Sequence, residues 1–130
     1  MKYSFKKGER LTSRKSVALL FKSGRRTEAY PLRILYDLNN EGRFPCLMAV
    51  SVPKRLFKRA VDRNLLKRRI RETYRQQKAG LYAKLNTENV KIRMVIQYRA
   101  GKIADFGTIE KSLEQLLGKI TAKISGKVSG

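Results

Sequence analysis

Apolar residues along this chain recur with two different periods, and each change of period marks a change of secondary structure. Helical spacing first covers residues 13–23, between Ser/Thr capping residues and a glycine. It returns over residues 59–78, where Gly80 is expected to end the helix. A third helical repeat of Ile and Leu covers residues 108–124. The sequence therefore predicts three helices.

Three other stretches alternate with a period of two, which is typical of strands. They cover residues 32–38, 44–52 and 90–98. The middle stretch contains the run Leu47-Met48-Ala49-Val50, and consecutive apolar positions predict a central strand that is covered on both faces. The order αββαβα, with no long linker, predicts one α+β domain over residues 1–124, followed by a flexible basic tail at residues 125–130.

The charge of the chain indicates what kind of partner it has. Its 130 residues include 31 Lys and Arg against 10 Asp and Glu, a formal net charge of +21. Such an excess repels itself unless a polyanion neutralises it, so nucleic acid is the first candidate partner. A hydrophobic content of 42% argues against a disordered basic tail, because disordered chains combine high charge with low hydrophobicity.

Several chemistries are disfavoured by the residues that the chain lacks. Cys46 is the single cysteine and there is no histidine, so one chain cannot assemble a disulfide, a zinc site or a His-activated nucleophile. The carboxylates are scattered, which disfavours a two-metal nuclease centre built by the protein alone. No apolar run approaches the ~18 residues of a membrane span, and none follows the charged residues 1–10 as in a signal peptide. We therefore expect a cytoplasmic protein.

Residues 54–78 concentrate the positive charge, with 11 basic residues against two acidic ones. At 100° per residue, one arc of the predicted helix is polar and an adjoining arc is apolar. The polar arc holds Asn64, Lys67, Arg68, Arg71, Arg75 and Lys78, and the apolar arc holds Leu66, Ile70 and Tyr74. A solvated helix face is the simplest explanation of a charge run, but here acidic i,i+4 partners are nearly absent. The pattern favours a face that binds phosphates.

The same segment resembles a known signature. Residues 60–72, Ala-Val-Asp-Arg-Asn-Leu-Leu-Lys-Arg-Arg-Ile-Arg-Glu, are similar to the signature helix of the protein subunit of bacterial ribonuclease P, Ala-Val-x-Arg-Asn-Arg-x-Lys-Arg-x-x-Arg. Leu65 stands where the family has the second arginine of its Arg-Asn-Arg triplet. The resemblance covers about residues 5–120. It includes Arg10-Leu11, Phe21-Lys22-Ser23-Gly24, Leu35-Tyr36, Ser51-Val52-Pro53-Lys54 and Lys111-Ser112-Leu113.

The resemblance implies a fold and a division of labour. The expected fold is a ribosomal-protein-like, two-layer α/β sandwich whose mixed sheet contains a left-handed βαβ crossover, against the usual hand. An RNA subunit would carry the active site and its magnesium ions, so that the protein has no catalytic residues of its own. The protein, a monomer in the holoenzyme, would bind this RNA and precursor tRNA, broaden substrate use, and assist the endoribonuclease that removes the 5′ leader.

The resemblance also implies two sets of binding residues. The catalytic RNA would contact the signature helix at Arg63, Asn64, Lys67, Arg68, Arg71 and Arg75. A cleft between the first helix and the sheet would hold the single-stranded leader, lined by Val17, Phe21, Ile34, Tyr36, Ser51 and Arg55. Val17 departs from the aromatic residue usual there. From the residues alone, the pattern favours Phe21 as a core residue of the first helix, because it shares an apolar stripe with Val17 and Leu20. Arg93 and Arg99 either extend the basic surface or only solubilise a strand.

Two rival functions share some of these features. A non-catalytic ribosomal or RNA-chaperone protein would have the same size, charge and α+β composition. A membrane-active cationic peptide would share the charge, but three predicted strands indicate a folded sheet.

Overall fold

The computed structural model describes residues 7–39 and 44–129, which form a four-stranded sheet and three long helices. A 3₁₀ turn at Lys7–Glu9 precedes them. The helices are α1 (Arg14–Ser23), α2 (Ala60–Thr87) and α3 (Phe106–Ser129). The strands are β1 (Arg25–Ala29), β2 (Leu32–Leu38), β3 (Cys46–Ser51) and β4 (Ile92–Tyr98). The predicted order αββαβα is confirmed, with β1 as one additional strand.

The sheet has the order β1-β2-β4-β3 and is mixed. β2 pairs antiparallel with both β1 and β4, whereas β3 and β4 are parallel and are connected by α2. The sequence Arg-Arg-Thr-Glu-Ala of β1 has no apolar alternation, so periodicity did not predict it. It forms a strand because Ala29 pairs with Leu32 in a tight hairpin with β2.

Helices cover both faces of the sheet, and the two faces have separate cores. The larger core lies under α2 and α3 and includes Ile34, Tyr36 and Met94. The smaller core lies under α1, where Leu20 packs with Leu35 and other side chains of the opposite face. Because consecutive strand residues point to opposite faces, Leu32, Ile34 and Tyr36 of β2 belong to the larger core and Leu35 belongs to the smaller one.

The prediction that the run Leu47-Met48-Ala49-Val50 forms a central strand is wrong, because β3 lies at the edge of the sheet. Its apolar residues are nevertheless covered on both faces. Its free edge is also partly paired, since Arg10 forms a parallel bridge with Met48 and the Leu11 amide donates to the Met48 carbonyl at 2.9 Å. An N-terminal segment therefore protects this edge.

The limits of the helices agree with the predictions at α1 and differ at α2 and α3. Ser13 caps α1 by accepting a hydrogen bond from the Ser16 amide at 3.2 Å. Gly80 does not end α2, because Leu81 and Leu85 continue its buried stripe and outweigh a helical glycine's cost of about 1 kcal/mol. α3 continues to Ser129, so most of the segment expected to be a tail belongs to the helix. The sequence Asn-Asn-Glu-Gly at residues 39–42 is typical of a turn, and most of it lies outside the described residues.

Candidate nucleic-acid interface

The first turn of α2 is attached to the loop before it by Arg63. Its guanidinium donates to the carbonyl oxygens of Phe57 at 2.8 Å and Lys58 at 2.9 Å. Arg59, the residue before the helix, provides no side-chain cap, so Arg63 fixes the entry of the chain into α2. A guanidinium has five N–H donors, so others remain for an external acceptor.

The two arcs predicted for α2 are present in the structure. Leu66, Ile70 and Tyr74 are fully buried in the larger core. The opposite side reaches solvent through Asn64, Lys67, Arg68 and Arg71, of which Lys67 is half-buried and the others exposed. Leu65, at the position where the family motif has arginine, is half-buried. A row of donors one turn apart on a rigid helix matches the acceptors of a phosphate backbone.

Positive charge is further concentrated around Arg71. Partial burial lowers the pKa of its guanidinium, and the nearby charge of Arg10 lowers this pKa further. An arginine remains protonated at neutral pH in any case. Arg10 comes from the N-terminal segment that pairs with β3, so the tertiary structure adds to the helix face a cation that helical spacing did not include.

One acidic side chain, Glu72, lies beside the face. Its carboxylate accepts hydrogen bonds from Arg75 and from Gln76, and these bonds, with Arg75 the main contributor, lower the pKa of Glu72. The same carboxylate raises the pKa of Arg75. Arg75 is therefore already paired within the protein, whereas Lys67 and Arg68 take part in none of the ion pairs found among the described residues.

The prediction that Lys78 continues the exposed face is wrong. Its ammonium forms an ion pair with Glu9, and the two side chains are only 7% and 2% exposed. The Tyr82 hydroxyl donates to the same carboxylate at 2.5 Å. Lys78 occupies the expected arc of the helix, but the N-terminal segment covers that turn.

The structure does not bring the six residues predicted for the leader cleft into one site. Val17 and Phe21 on α1 are half-buried and pack against the smaller core. Ile34 and Tyr36 face the larger core on the other side of the sheet, and Tyr36 is 6% exposed. The prediction is wrong for these two residues, because Leu35 between them points toward α1 and alternation then excludes both neighbours from that face.

The other two predicted cleft residues fit the α1 side. Ser51 ends β3 on the same face as Ala49, which packs against the smaller core. Arg55 is exposed in the turn that follows. The sheet register also aligns Arg33, Gln97 and Ser51 in one row across this face. Pattern analysis missed Arg33 and Gln97, because their alignment depends on strand pairing.

Gln97 has an unusual environment in this row. Its Oε1 atom is buried and has no hydrogen-bond partner within the described part of the chain. An amide oxygen in that state loses the hydrogen bonds it would make to water, so a donor from a bound molecule would stabilise it.

The interpretation of Arg93 as a surface cation is wrong. It is 8% exposed, and its guanidinium binds both carboxylate oxygens of Asp37, at 2.8 and 3.0 Å, and the Ser16 hydroxyl at 2.9 Å. β4 is a central strand covered by α1, so the Arg93 side chain is internal and links α1 to the sheet. Arg99, at the end of β4, is exposed.

Cys46 is buried, and burial raises the pKa of its thiol to about 12. Within the described residues, no group of three or more His, Cys, Asp and Glu side chains could hold a metal ion. No helix in that part of the chain is long and apolar enough to cross a membrane.

A basic helix face on an α+β scaffold is typical of the class of nucleic-acid-binding proteins, and the comparisons with known proteins identify the family. The profile of the ribonuclease P family matches residues 5–121. The ribonuclease P protein component of Porphyromonas gingivalis W83 is 34% identical over 119 residues, covering 91% of this chain and 87% of that protein. The protein component from Nitrosococcus oceani is 37% identical over 62 residues, covering 48% of this chain and 50% of that protein.

Solved structures agree with this assignment. The ribonuclease P protein of Staphylococcus aureus superposes with a TM-score of 0.69 at 23% identity, covering 88% of this chain and 96% of that one. The protein from Thermotoga maritima gives a TM-score of 0.66 at 25% identity, covering 85% and 96%. The chain belongs to the family of bacterial ribonuclease P protein components. It is a subunit of a tRNA-processing ribonucleoprotein whose partner is the ribonuclease P RNA.

Proposed function

We propose that this chain binds the catalytic RNA of ribonuclease P through α2 and the 5′ leader of precursor tRNA beside α1, while the RNA carries out hydrolysis. Binding both RNAs would position the substrate and broaden the range of precursors that the enzyme uses. The chain would act as a single copy in the cytoplasmic holoenzyme. The observation that carries the proposal is the exposed row of Asn64, Lys67, Arg68 and Arg71 on a helix anchored by its buried side.

The arrangement of α2 supports contact with a structured RNA. Its apolar side is held in the larger core, so the cations opposite lose little conformational freedom of the backbone when RNA binds. Arg68 and Arg71 can bind phosphate oxygens in a bidentate manner, and Asn64 can both donate and accept. Arg63 would contact the RNA through the N–H groups that do not bind the Phe57 and Lys58 carbonyls. Arg75 would have to exchange its ion pair with Glu72 for a contact with phosphate.

The surface beside α1 supports contact with unpaired nucleotides. Phe21 is half-buried, so part of its ring remains available for a base, and stacking of this kind contributes about 1–3 kcal/mol without requiring a sequence. The proposed contact set is Val17, Phe21, Ser51 and Arg55, with Arg33 and Gln97 added from the sheet register. Gln97 would gain a partner for its buried amide oxygen.

Magnesium enters this proposal through the RNA. The described residues offer no acidic cluster that fits a divalent ion, so no step of the reaction is assigned to a metal held by this chain. Its contribution is electrostatic: cations on α2 reduce phosphate repulsion in the assembled complex, a role that magnesium otherwise fulfils at high concentration.

Reconstitution with ribonuclease P RNA tests the proposal. At a magnesium concentration too low for the RNA alone, the protein is expected to restore cleavage of precursor tRNA. The double variant Arg68→Ala/Arg71→Ala should need more protein to do so, whereas Lys111→Ala, which removes an exposed cation from α3, should behave as the parent protein. Equal stimulation by an unrelated basic protein would contradict the proposal and favour the RNA-chaperone alternative.

The leader contact is tested separately with Phe21→Ala. If the ring stacks on the leader, affinity of the holoenzyme should fall about fivefold or more for precursor tRNA and little for mature tRNA. An equal loss for both RNAs, together with a lower melting temperature, would show that Phe21 is only a core residue.

A further inference from the structure

A second basic surface lies at the other edge of the sheet, between β1 and the C-terminal half of α3. It is a groove with a volume of about 750 Å³, within the range of ~300–1,000 Å³ typical of ligand sites. Arg25 and Arg26 of β1 form one wall, and Lys119 and Lys123 of α3 form the other. All four side chains are exposed. We call this surface the β1–α3 groove.

The chemistry of the groove suits a flexible polyanion. None of its lining residues among those the structure describes is acidic, and the cations Arg25, Lys119 and Lys123 face whatever lies between the walls. The Arg26 guanidinium is turned toward the end of α1. The buried residues Tyr36 and Ile120 contribute to the lining. A positive groove that follows the backbone is the feature by which proteins hold single-stranded nucleic acid with little sequence preference.

The groove is rigidly built, although its cations are exposed. Lys119 donates to the carbonyl oxygen of Glu28 at 3.1 Å, which connects α3 directly to β1. The Ser112 hydroxyl, about two turns earlier on α3, donates to the Ala29 carbonyl. The spacing of the two walls is thus set before any ligand arrives, which lowers the entropic cost of binding.

Its position separates it from the α2 face and connects it to α1. α2 connects the parallel strands β3 and β4, whereas β1 is the opposite edge of the sheet, so RNA on α2 leaves the groove open. α1 ends at Ser23, and only Gly24 separates it from β1. The Arg26 guanidinium donates to the carbonyl oxygen of Phe21 at 3.5 Å. A strand passing Phe21 toward the end of α1 therefore meets Arg25 and Arg26 next.

We propose that the β1–α3 groove binds upstream nucleotides of the precursor's 5′ leader, beyond those held beside α1. The proposal rests on the proposed function, because it extends the path of the same RNA strand. It names residues of this chain that neither the signature helix nor the α1 surface includes. Its partner is identified by chemistry: an unpaired, polyanionic strand attached to the RNA already bound next to Phe21.

A leader-length series tests the proposal in the assembled holoenzyme. Precursor tRNAs with leaders lengthened one nucleotide at a time are compared between the parent protein and Arg25→Ala/Lys123→Ala. With the parent protein, affinity for precursor tRNA is expected to rise in two stages as the leader lengthens. The first nucleotides bind beside α1, and the later ones reach the groove. The variant should lack the second stage and bind the longest leaders at least about tenfold more weakly than the parent, because the loss of even one of its two charge-assisted phosphate contacts has an effect of this size.

Matched controls separate the possible outcomes. Lys102→Ala/Lys111→Ala removes two exposed cations away from the groove and should reproduce the parent curve. The proposal is overturned if the affinity of the parent rises in only one stage as the leader lengthens. It is also overturned if the groove variant loses the same affinity for short leaders, long leaders and mature tRNA. If Phe21→Ala lowers the affinity for precursor tRNA but not for mature tRNA in these experiments, the proposed function stands and only the groove assignment fails.

Discussion

The buried pair of Lys78 and Glu9 offers a strong test of how the structure supports its RNA-binding helix. Replacing Glu9 with Leu removes the carboxylate that forms an ion pair with the Lys78 ammonium, in a site where the Lys78 side chain is 7% exposed. Removal of one partner of a buried ion pair costs about 3–5 kcal/mol, a large part of the ~5–15 kcal/mol that stabilises a typical domain. With an unfolding entropy of about 2.1 cal/mol/K per residue over 130 residues, the melting temperature should fall by roughly 11–18 °C.

The double variant Glu9→Leu/Lys78→Met distinguishes charge from packing. It replaces the pair by apolar side chains of similar size, which is usually neutral or stabilising, so its free energy of unfolding should be no more than about 1 kcal/mol below that of the parent. The free energy of unfolding of both variants is measured by urea titration, with circular dichroism as the signal. A cost below about 1 kcal/mol for Glu9→Leu, as in an exposed pair, or a double variant as unstable as the single one, would refute the reasoning.

The remaining predictions concern α2 and Cys46. Arg68→Ala should reduce the slope of log affinity for ribonuclease P RNA against log salt by about 0.7–0.9, and an unchanged slope would place this residue outside the interface. Because burial raises the pKa of Cys46 to about 12, a thiol reagent at pH 8 should label it only as fast as the protein opens, whereas labelling at the rate of a free thiol would contradict its burial. Gly80→Ala should raise the free energy of unfolding by about 0.5–1 kcal/mol, because an added Cβ meets no atom within 4 Å in mid-helix; a loss of stability in urea would contradict this.

Local pattern predicted most of the elements because each carries its own signal. The cap at Ser13, the limits of β2 at Leu32–Leu38 and the buried stripe of α2 all follow from neighbouring residues alone. β1 has no such signal, since its five residues are polar or small and pair only because β2 is adjacent. Gly80 wrongly predicted the end of α2, because the helix is stabilised beyond it by the buried side chains of Leu81 and Leu85.

The candidate sites divide in the same way. Helical spacing alone identified the exposed donors on α2, and the signature motif identified their family. The binding residues on the strands could not be predicted as well. Matching Ile34 and Tyr36 to positions in the family does not determine which face of β2 lies under α1. Packing of Leu35 against α1 determines it.

The order of residues by itself determined the α+β class, the amphipathic helix with its row of cations, and the membership of the ribonuclease P protein family, because these depend on local periodicity, charge and motif. Only the tertiary structure decided which cations remain outside. Lys78 and Arg93 are buried because Glu9 and Asp37, distant in the chain, neutralise them, whereas Arg25 and Lys123 face each other across a groove. Buried and exposed cations are the same residue types in the sequence, and the role of each depends on which side chains folding places next to it.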